Sequence, residues 1–350
     1  MRGSVIGVIV RQARVHAVLA SLVAIYAAVA FTLAQAYPVR IESSKFVVVF
    51  LSFAELVPQM IAMVLVWRLL SLTYLERSSD GTGDLKREVR GFLGDRERLA
   101  GGALATLIMT VMLVSFSQLK NLIPRLNPFA WDQFFVDLDR SLHFGRLPHE
   151  WLLPFLGSDY VVSFFAGIYN VWLFMAYFSL VIACFMRPDR PERMQFLIAF
   201  LLTWALGGNL LATVFSSAGP VYLNPMGLGD TYLPLMRRLQ EHADTGMLSA
   251  VKTQVLLWTW QSGEQPLNAI SAFPSMHVAS STLMAIFAFR WSRLAGIALT
   301  LFACGIMVGS VLLGWHYAVD GYAGAAIAVL CWALSGWIIR MRLVRVPAVA

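Results

Sequence analysis

Eight apolar segments are the feature that most constrains this chain. A helix needs about 20 predominantly apolar residues to cross the hydrocarbon core of a bilayer, and most of these segments reach or approach that length. They lie at residues 15–36, 47–72, 101–118, 160–186, 194–215, 275–290, 294–313 and 317–339. With 58% hydrophobic and only 13% charged residues, the 350-residue chain departs strongly from the composition of soluble domains. The sequence therefore predicts an all-α polytopic membrane protein with about eight transmembrane helices.

Basic residues are distributed unevenly between the two sides of this arrangement. The side that holds both termini and the 73–100 loop carries 17 of the 27 Lys and Arg residues, whereas the other side carries 9 in longer loops. Because Lys and Arg accumulate in cytoplasmic loops, both termini are expected in the cytoplasm of a protein of the plasma or inner membrane. The net charge of +7 suits anionic lipid headgroups, and no nucleic-acid-binding motif accompanies it.

The same pattern divides the chain into three parts. Residues 1–100 are expected to hold two N-terminal transmembrane helices and a cytoplasmic loop, residues 101–340 a larger membrane domain, and residues 341–350 a short basic cytoplasmic tail. The first apolar segment is longer than the 7–15 apolar residues, roughly, of a signal peptide. It is therefore interpreted as a retained span.

Two segments of the outer loops have the pattern of interfacial helices. In NPFAWDQFFVDLDRSLHFG, apolar residues recur at steps of three and four among acidic and basic residues. This spacing predicts an amphipathic helix in the headgroup plane. The segment YLPLMRRLQEHADTGMLSAVKTQVLLWTW shows the pattern more weakly.

Several residues with reactive side chains are interpreted as structural. Cys184, Cys304 and Cys331 lie within apolar segments, without metal-ligand spacing, and are expected to be buried small residues. Glu55 lies in the second apolar segment and is expected to contact a neighbouring helix. His143 and His149 are expected at the membrane interface, although histidine is also a common catalytic residue.

Two short stretches contain the candidate catalytic residues. AFPSMHVASS places His277 at the start of the sixth apolar segment, and GWHYAVDGYAG places His316 and Asp320 at the start of the eighth. Both starts face the outer side, and residues four apart share a helix face, so Asp320 can select the tautomer of His316. One imidazole can then attack phosphorus while the other protonates the leaving alkoxide. This pattern indicates phosphoryl transfer through histidine, whereas a polar interfacial role is the alternative for either histidine alone.

These stretches resemble signature motifs of a known family. FPSMHVASS and GSVLLGWHYAVDGYAG resemble the second and third motifs of the type-2 phosphatidic acid phosphatase superfamily. Together with SSAGPVYL and LNPFAWDQFFVDLDRSLHFG, they resemble the branch that contains fungal inositol phosphorylceramide synthases and their bacterial relatives. The resemblance implies a core of six helices, formed by the third to eighth spans. It also implies that His316 is the nucleophile, Asp320 its orienting carboxylate and His277 the general acid, with no metal or cofactor.

The sequence departs from the superfamily pattern where phosphate is bound. The first motif is not recognisable, and Gly309 and Ser310 stand where the third motif usually has Ser-Arg. The residues expected to bind substrate instead are Lys120, Ser216, Ser217, Tyr222, Ser275 and Ser310. For Lys120 a headgroup contact remains an alternative, and for the hydroxyl groups helix capping does. The missing arginine favours a phosphodiester, because it carries one charge fewer than a monoester dianion.

The sequence thus predicts a lipid phosphotransferase or phosphatase with its active site on the extracytoplasmic face. Its expected partners are the bilayer, a phospholipid or lipid phosphate as donor, and an alcohol acceptor such as inositol, glycerol or a sphingolipid. A simple phosphatase acting on phosphatidate or polyprenyl pyrophosphate is the alternative enzyme. A transporter is the alternative from another class, but the sequence lacks the internal repeat that many transporters show.

Overall fold

The computed structural model describes residues 5–37, 43–244 and 270–345, with side chains described for 6–37, 57–244 and 270–341. Throughout these ranges the regular secondary structure is helical, and no strand occurs. Seven helices within them are long and apolar enough to cross a membrane. The prediction of an all-α polytopic membrane protein is confirmed.

The N-terminal region contributes three helices. Helix α1 spans Val5–Ala36, and α2 spans Ser43–Leu70 and continues as a π-helical turn over Ser71–Leu75. The charged loop that follows contains an amphipathic helix, α3, at Gly81–Gly94. Helix α1 packs along α4 and also contacts α8.

Six further helices form the core. They are α4 (Arg96–Leu126), α7 (Asp159–Phe185), α8 (Pro191–Val214), α10 (Met276–Phe289), α11 (Arg293–Leu312) and α12 (Ala318–Arg345). Outside this core lie the shorter helices α5 (Asp132–Leu142), α6 (Pro148–Leu156) and α9 (Leu233–Asp244). The boundary predicted after residue 100 falls inside α4. The second predicted interfacial segment is described only as far as α9, since residues 245–269 lie outside the described ranges.

Helix α10 is shorter than the span predicted at 275–290. Its 14 residues give a length of about 21 Å, less than the roughly 30 Å of a hydrocarbon core. It packs against α11 and α12, and most of its side chains are buried. A helix enclosed by other helices need not match the bilayer, so protein contacts rather than lipid set its length.

Close packing brings α8 to the start of α10. The middle of α8, Thr203–Leu211, is π-helical. A Cβ on Gly208 would lie 2.7 Å from the Phe116 ring and 3.2 Å from the Met276 side chain. A larger residue would therefore push α8 away from α4 and from the first residue of α10.

A buried arginine joins the ends of several helices. Arg193, at the start of α8, donates to the backbone oxygens of Cys184 at 2.9 Å and Gly101 at 3.0 Å, and lies 3.0 Å from His16 Nε2. Only 1% of its surface is exposed. Arg193 thus differs from Arg187 and Arg190, which are exposed.

Candidate active site

The His316–Asp320 pair is formed where the polypeptide enters α12. His316 lies in the turn before this helix, and Asp320 lies in its first turn. His316 Nδ1 is 3.3 Å from Asp320 Oδ2, and the same oxygen accepts from the Tyr317 N–H at 3.0 Å. Since Nδ1 faces the carboxylate, His316 presents Nε2 to the remainder of the site.

His277 meets that free nitrogen from α10. Its Nδ1 is 3.5 Å from His316 Nε2, and the two rings are 5.6 Å apart at 63°. Ser275 holds α10 in place because its hydroxyl accepts from the Val278 N–H at the helix N-terminus. Its own backbone N–H donates to the Asp320 carbonyl at 2.9 Å. One cap therefore ties both histidine-bearing elements together.

Burial sets the protonation state of His316. The pKa of this imidazole is lowered to about 3, because burial disfavours the charged form. The backbone of Ala272 acts in the opposite direction, and the charge of Lys120 lowers the pKa further. At neutral pH, His316 is therefore an uncharged imidazole with a lone pair available.

Two buried aspartates that the sequence analysis assigned only to an interfacial helix hold this site. Asp132, at the start of α5, accepts from the Ala218 N–H at 2.9 Å, the Gly219 N–H at 2.8 Å and the Tyr317 hydroxyl at 2.9 Å. Burial raises the pKa of this carboxyl, and the hydrogen bonds act against that shift. Asp132 thus fixes the loop after α8 beside the residue that follows His316.

Asp139, seven residues later on α5, holds the start of α12. Its two oxygens accept from the Ala318 N–H at 2.8 Å and the Val319 N–H at 3.0 Å, which makes it an N-terminal cap supplied by another helix. Burial likewise raises its pKa. Phe134 and Leu142 remain exposed, whereas Phe135 is buried, so only part of the predicted apolar stripe of α5 faces outwards. Its inner polar face was missed, although the seven-residue spacing of the two aspartates was the available signal.

The two serines of the loop after α8, Ser216 and Ser217, are buried. The hydroxyl of Ser217 accepts from the Phe273 N–H at 3.1 Å, and its carbonyl accepts from the Ala272 N–H at 2.9 Å. The hydroxyl of Ser216 makes no hydrogen bond within the described residues. Tyr222 is buried in a small apolar cluster. Ser217 therefore positions the backbone before α10, whereas the Ser216 hydroxyl has no partner in the part of the chain that is described.

Glycine permits this loop to approach the histidine turn. Gly219 has φ +101°, and a Cβ there would lie 2.8 Å from the Trp315 carbonyl oxygen. Any other residue would be strained at this backbone conformation, and its Cβ would also collide with the Trp315 carbonyl oxygen. The loop and the turn before His316 can therefore lie in contact.

The hydroxyl groups of Ser275 and Ser310 are both engaged. Ser310 Oγ donates to the Met307 carbonyl at 2.8 Å, and the Ser310 carbonyl accepts from the N–H groups of Trp315 and His316. Ser275 caps α10, as described above. Both residues position the histidines, and a direct role in binding substrate remains a prediction.

Lys120 is the predicted binding residue best placed to act on the histidines. It lies near the end of α4, and its charge acts electrostatically on both His277 and His316. No ion pair between described residues includes it. Arg125, one turn further along, is exposed.

Two aromatic side chains cover His277. The ring of Tyr169 stacks on the imidazole at 4.3 Å and 24°, and the ring of Trp172 lies 4.0 Å away at 40°. Trp315 lies parallel to Tyr169 at 6.1 Å. These residues could not be recognised from the sequence, because aromatic residues in an apolar helix show no distinguishing pattern.

The remaining histidines differ in their surroundings. His149 is buried against Tyr232, and burial lowers its pKa to about 4. His149 therefore packs against protein rather than projecting outwards from α6. His143 is partly buried and contacts the Tyr322 hydroxyl at 2.9 Å.

The cysteines are free, as expected, but only Cys184 and Cys331 are buried. Cys304 is exposed on α11, because the outer face of a membrane helix can remain apolar without being covered by protein. The side chain of Glu55 lies outside the described residues. In the part of the chain that is described, no group of three or more His, Cys, Asp or Glu side chains is arranged to hold a metal ion.

Comparison with known protein families matches residues 133–334 to the PAP2 superfamily. The match covers more than half of the chain and includes both histidine-bearing elements. No curated protein and no solved structure matches the chain.

Proposed function

This chain belongs to the PAP2 superfamily, and on that premise we propose that it is a membrane phosphotransferase acting on a lipid phosphodiester through a phosphohistidine. Superfamily membership indicates a lipid phosphatase or phosphotransferase, as the motifs led us to expect. The observation that carries the finer proposal is the His277–His316–Asp320 arrangement, with its 3.3 Å and 3.5 Å contacts. In the proposed mechanism, each of the three groups has a distinct chemical role.

In the first step, the neutral Nε2 of His316 attacks phosphorus and forms an N–P bond. The P–O bond to the donor alcohol breaks, and His277, which the proposal takes as protonated in the substrate complex, gives its proton to the departing oxygen. Asp320 stabilises the resulting charge on the His316 ring. In the second step, the acceptor hydroxyl attacks phosphorus, gives its proton to His277 and restores the free imidazole.

The proposed donor and acceptor follow from charge and chemistry. Lys120 supplies a single positive charge near the histidines, and this suits a phosphodiester with one negative charge. The acceptor is an alcohol such as inositol, glycerol or a sphingolipid, as in the inositol phosphorylceramide synthase-like branch. A simple lipid phosphate phosphatase, in which water takes the place of the alcohol, is the alternative.

The site is proposed to face the extracytoplasmic side. It lies at the end of the core where α4, α8 and α11 finish and α7, α10 and α12 begin. The excess of Lys and Arg in the loops at the opposite end supports a cytoplasmic location for those loops.

Product analysis tests the proposed function. Purified protein is incubated with a labelled phospholipid, with inositol, glycerol, ceramide or no acceptor, and the products are identified by mass. Transfer predicts a new phosphodiester that depends on one acceptor, together with an acid-labile phosphoenzyme. If the protein instead releases inorganic phosphate from a lipid phosphate, and forms no product with any of the acceptors, it is the phosphatase. The proposal also predicts that activity survives EDTA, since all three chemical roles are assigned to side chains.

A further inference from the structure

Two buried hydrogen-bond donors beside His277 have no acceptor within the described residues. They are the Tyr169 hydroxyl and the Trp172 indole N–H. Leaving a buried donor unpaired costs stability, so native proteins retain few such groups, and those few often serve a ligand or a reaction. The pair therefore requires an explanation beyond packing.

Both donors belong to residues that face the reactive pair. Tyr169 and Trp172 are three residues apart on α7, so they share a helix face. Their rings contact the imidazole of His277 at 4.3 Å and 4.0 Å. The carboxylate of Asp320 also acts electrostatically on Tyr169, which places this residue close to the His316–Asp320 pair.

The candidate site is otherwise poor in groups that could hold phosphoryl oxygens. Lys120 is the one cation of the described residues whose charge acts on both imidazoles. Ser310, which occupies the position of the usual arginine, donates its hydroxyl to the Met307 carbonyl. Charge that develops on oxygen during transfer is stabilised by donors already aimed at it, and one ammonium group supplies few of them.

We propose that Tyr169 and Trp172 donate hydrogen bonds to the nonbridging phosphoryl oxygens and, with Lys120, form a phosphate cradle that replaces the missing arginine. The inference rests on the proposed function, because it names the binding groups of the same site. It assigns a use to both unpaired donors. Neutral donors also add no charge, which agrees with a singly charged phosphodiester as substrate.

The test removes each donor while retaining an aromatic ring. Tyr169→Phe and Trp172→Phe are assayed with an alkyl nitrophenyl phosphodiester, and inorganic phosphate is used as a competing probe. Each variant is expected to weaken inhibition by phosphate and to lower kcat/KM, each by about tenfold or more, because the bonds lost are to a charged oxygen. The thermal unfolding temperature of Tyr169→Phe should stay equal or rise, since an unpaired buried hydroxyl is removed.

Two matched variants remove a tyrosine hydroxyl and a tryptophan N–H at positions away from His277. Tyr177→Phe removes a hydroxyl from α7 two turns further along, and Trp332→Phe removes an indole N–H from α12. Both residues are partly buried against the core. Neither substitution should change inhibition by phosphate or kcat/KM.

The outcomes separate this inference from the proposed function. Suppose that the wild type forms phosphohistidine and that both variants keep the wild-type kcat/KM and the wild-type inhibition by phosphate. This result would overturn the cradle and leave the proposed function intact. A lower unfolding temperature with unchanged inhibition would also overturn it, because the rings would then serve packing alone. Absence of phosphohistidine in the wild type would overturn the function, while weaker phosphate inhibition in the variants would still support the cradle. If Trp172→Phe does not fold, Tyr169→Phe decides, since it removes one oxygen that makes no bond within the described residues.

Discussion

At the scale of single residues, burial determines when His316 can react. Its lowered pKa, about 3, keeps the imidazole neutral at any pH well above that value. A nucleophilic nitrogen needs its lone pair, so protonation would switch the residue off. Neutrality at physiological pH therefore serves the proposed attack on phosphorus.

The rate of phosphoenzyme formation should accordingly stay level as the pH falls from 7.5 to 5. An alkyl nitrophenyl phosphodiester is the suitable substrate, because its good leaving group needs little help from an acid. Lys120→Met should move the acid limb to higher pH, since the lysine charge lowers the pKa of His316 and its removal raises it. Single-turnover rates across this range measure both effects. A limb centred near 6.5 in the wild type would contradict the prediction.

The two histidines should respond differently to substitution. His316→Ala should abolish the phosphoenzyme with every substrate, because no nucleophile remains. His277→Ala should cost about 10²–10⁴-fold with an alkyl leaving group, the usual contribution of general acid catalysis, and much less with nitrophenolate. Turnover of the two substrates and acid-labile phosphoenzyme are measured in parallel. Equal losses of His277→Ala on both substrates would reverse or refute the assignment.

Asp320→Asn tests the orienting carboxylate separately. The amide retains the shape but loses the charge that stabilises an imidazolium, and it can favour the wrong tautomer of His316. We expect a loss of at least about a hundredfold with alkyl and nitrophenyl substrates alike. A loss confined to the alkyl substrate would instead link Asp320 to the acid, His277.

At the scale of elements, α5 acts as a clamp across the site. Asp132 binds the loop after α8 together with the Tyr317 hydroxyl, and Asp139 caps the start of α12. The ring of Phe135 stacks on Phe273 at 4.6 Å, just before α10. One short helix thereby contacts all three segments that surround the histidines.

Removing the cap should loosen the His316 turn. Asp139→Ala leaves the Ala318 and Val319 N–H groups without their acceptor, and we expect a loss of about 0.5–2 kcal/mol in unfolding free energy together with lower kcat. Asp139→Asn, which keeps one acceptor oxygen, should lose less. Asp137→Asn is the matched control, because this carboxylate is exposed on the same helix. The unfolding temperature in detergent and kcat are measured for each variant. If Asp139→Ala has the same unfolding temperature and kcat as Asp137→Asn, then Asp139 does not support the site.

At the scale of the whole molecule, the N-terminal helix is joined to the core by polar contacts within the bundle. His16 lies against Arg193, and the Tyr26 hydroxyl donates to Asn209 in the π-helical part of α8. Such contacts are specific because a polar group facing lipid would be costly. Helix α1 is therefore held against α8 by polar contacts at two places along its length.

The orientation of the bundle can be tested with single cysteines. Gly91→Cys on α3 should be protected from an impermeant maleimide in intact cells, whereas Gln240→Cys on α9 should be labelled. Both positions are exposed, and a Cβ at Gly91 would meet no atom within 4 Å. The native cysteines are replaced first, and permeabilised cells confirm that both sites can react. Labelling of residue 91 from outside would invert the proposed topology.

The extent to which the site was predictable depended on sequence separation. His316 and Asp320 are only four residues apart, so their spacing was enough to suggest a contact, although His316 lies in the turn before α12 and only Asp320 lies in the helix. The approach of His277 followed from topology, because two helix starts on one membrane face can meet. The Asp139 contact with Ala318 joins residues 179 positions apart. A local sequence pattern cannot predict a contact between residues so far apart in the chain.

The sequence by itself determined the membrane class, the helical architecture and the two histidine motifs, since these depend on apolar length and on short spacings along the chain. Tertiary structure alone decided that α10 is short, that α5 turns two aspartates inward and that Tyr169 and Trp172 cover His277. Helix periodicity tells which residues share a face, whereas packing decides what that face meets. In a membrane protein the distinction is sharper, because an apolar face suits lipid and protein equally well.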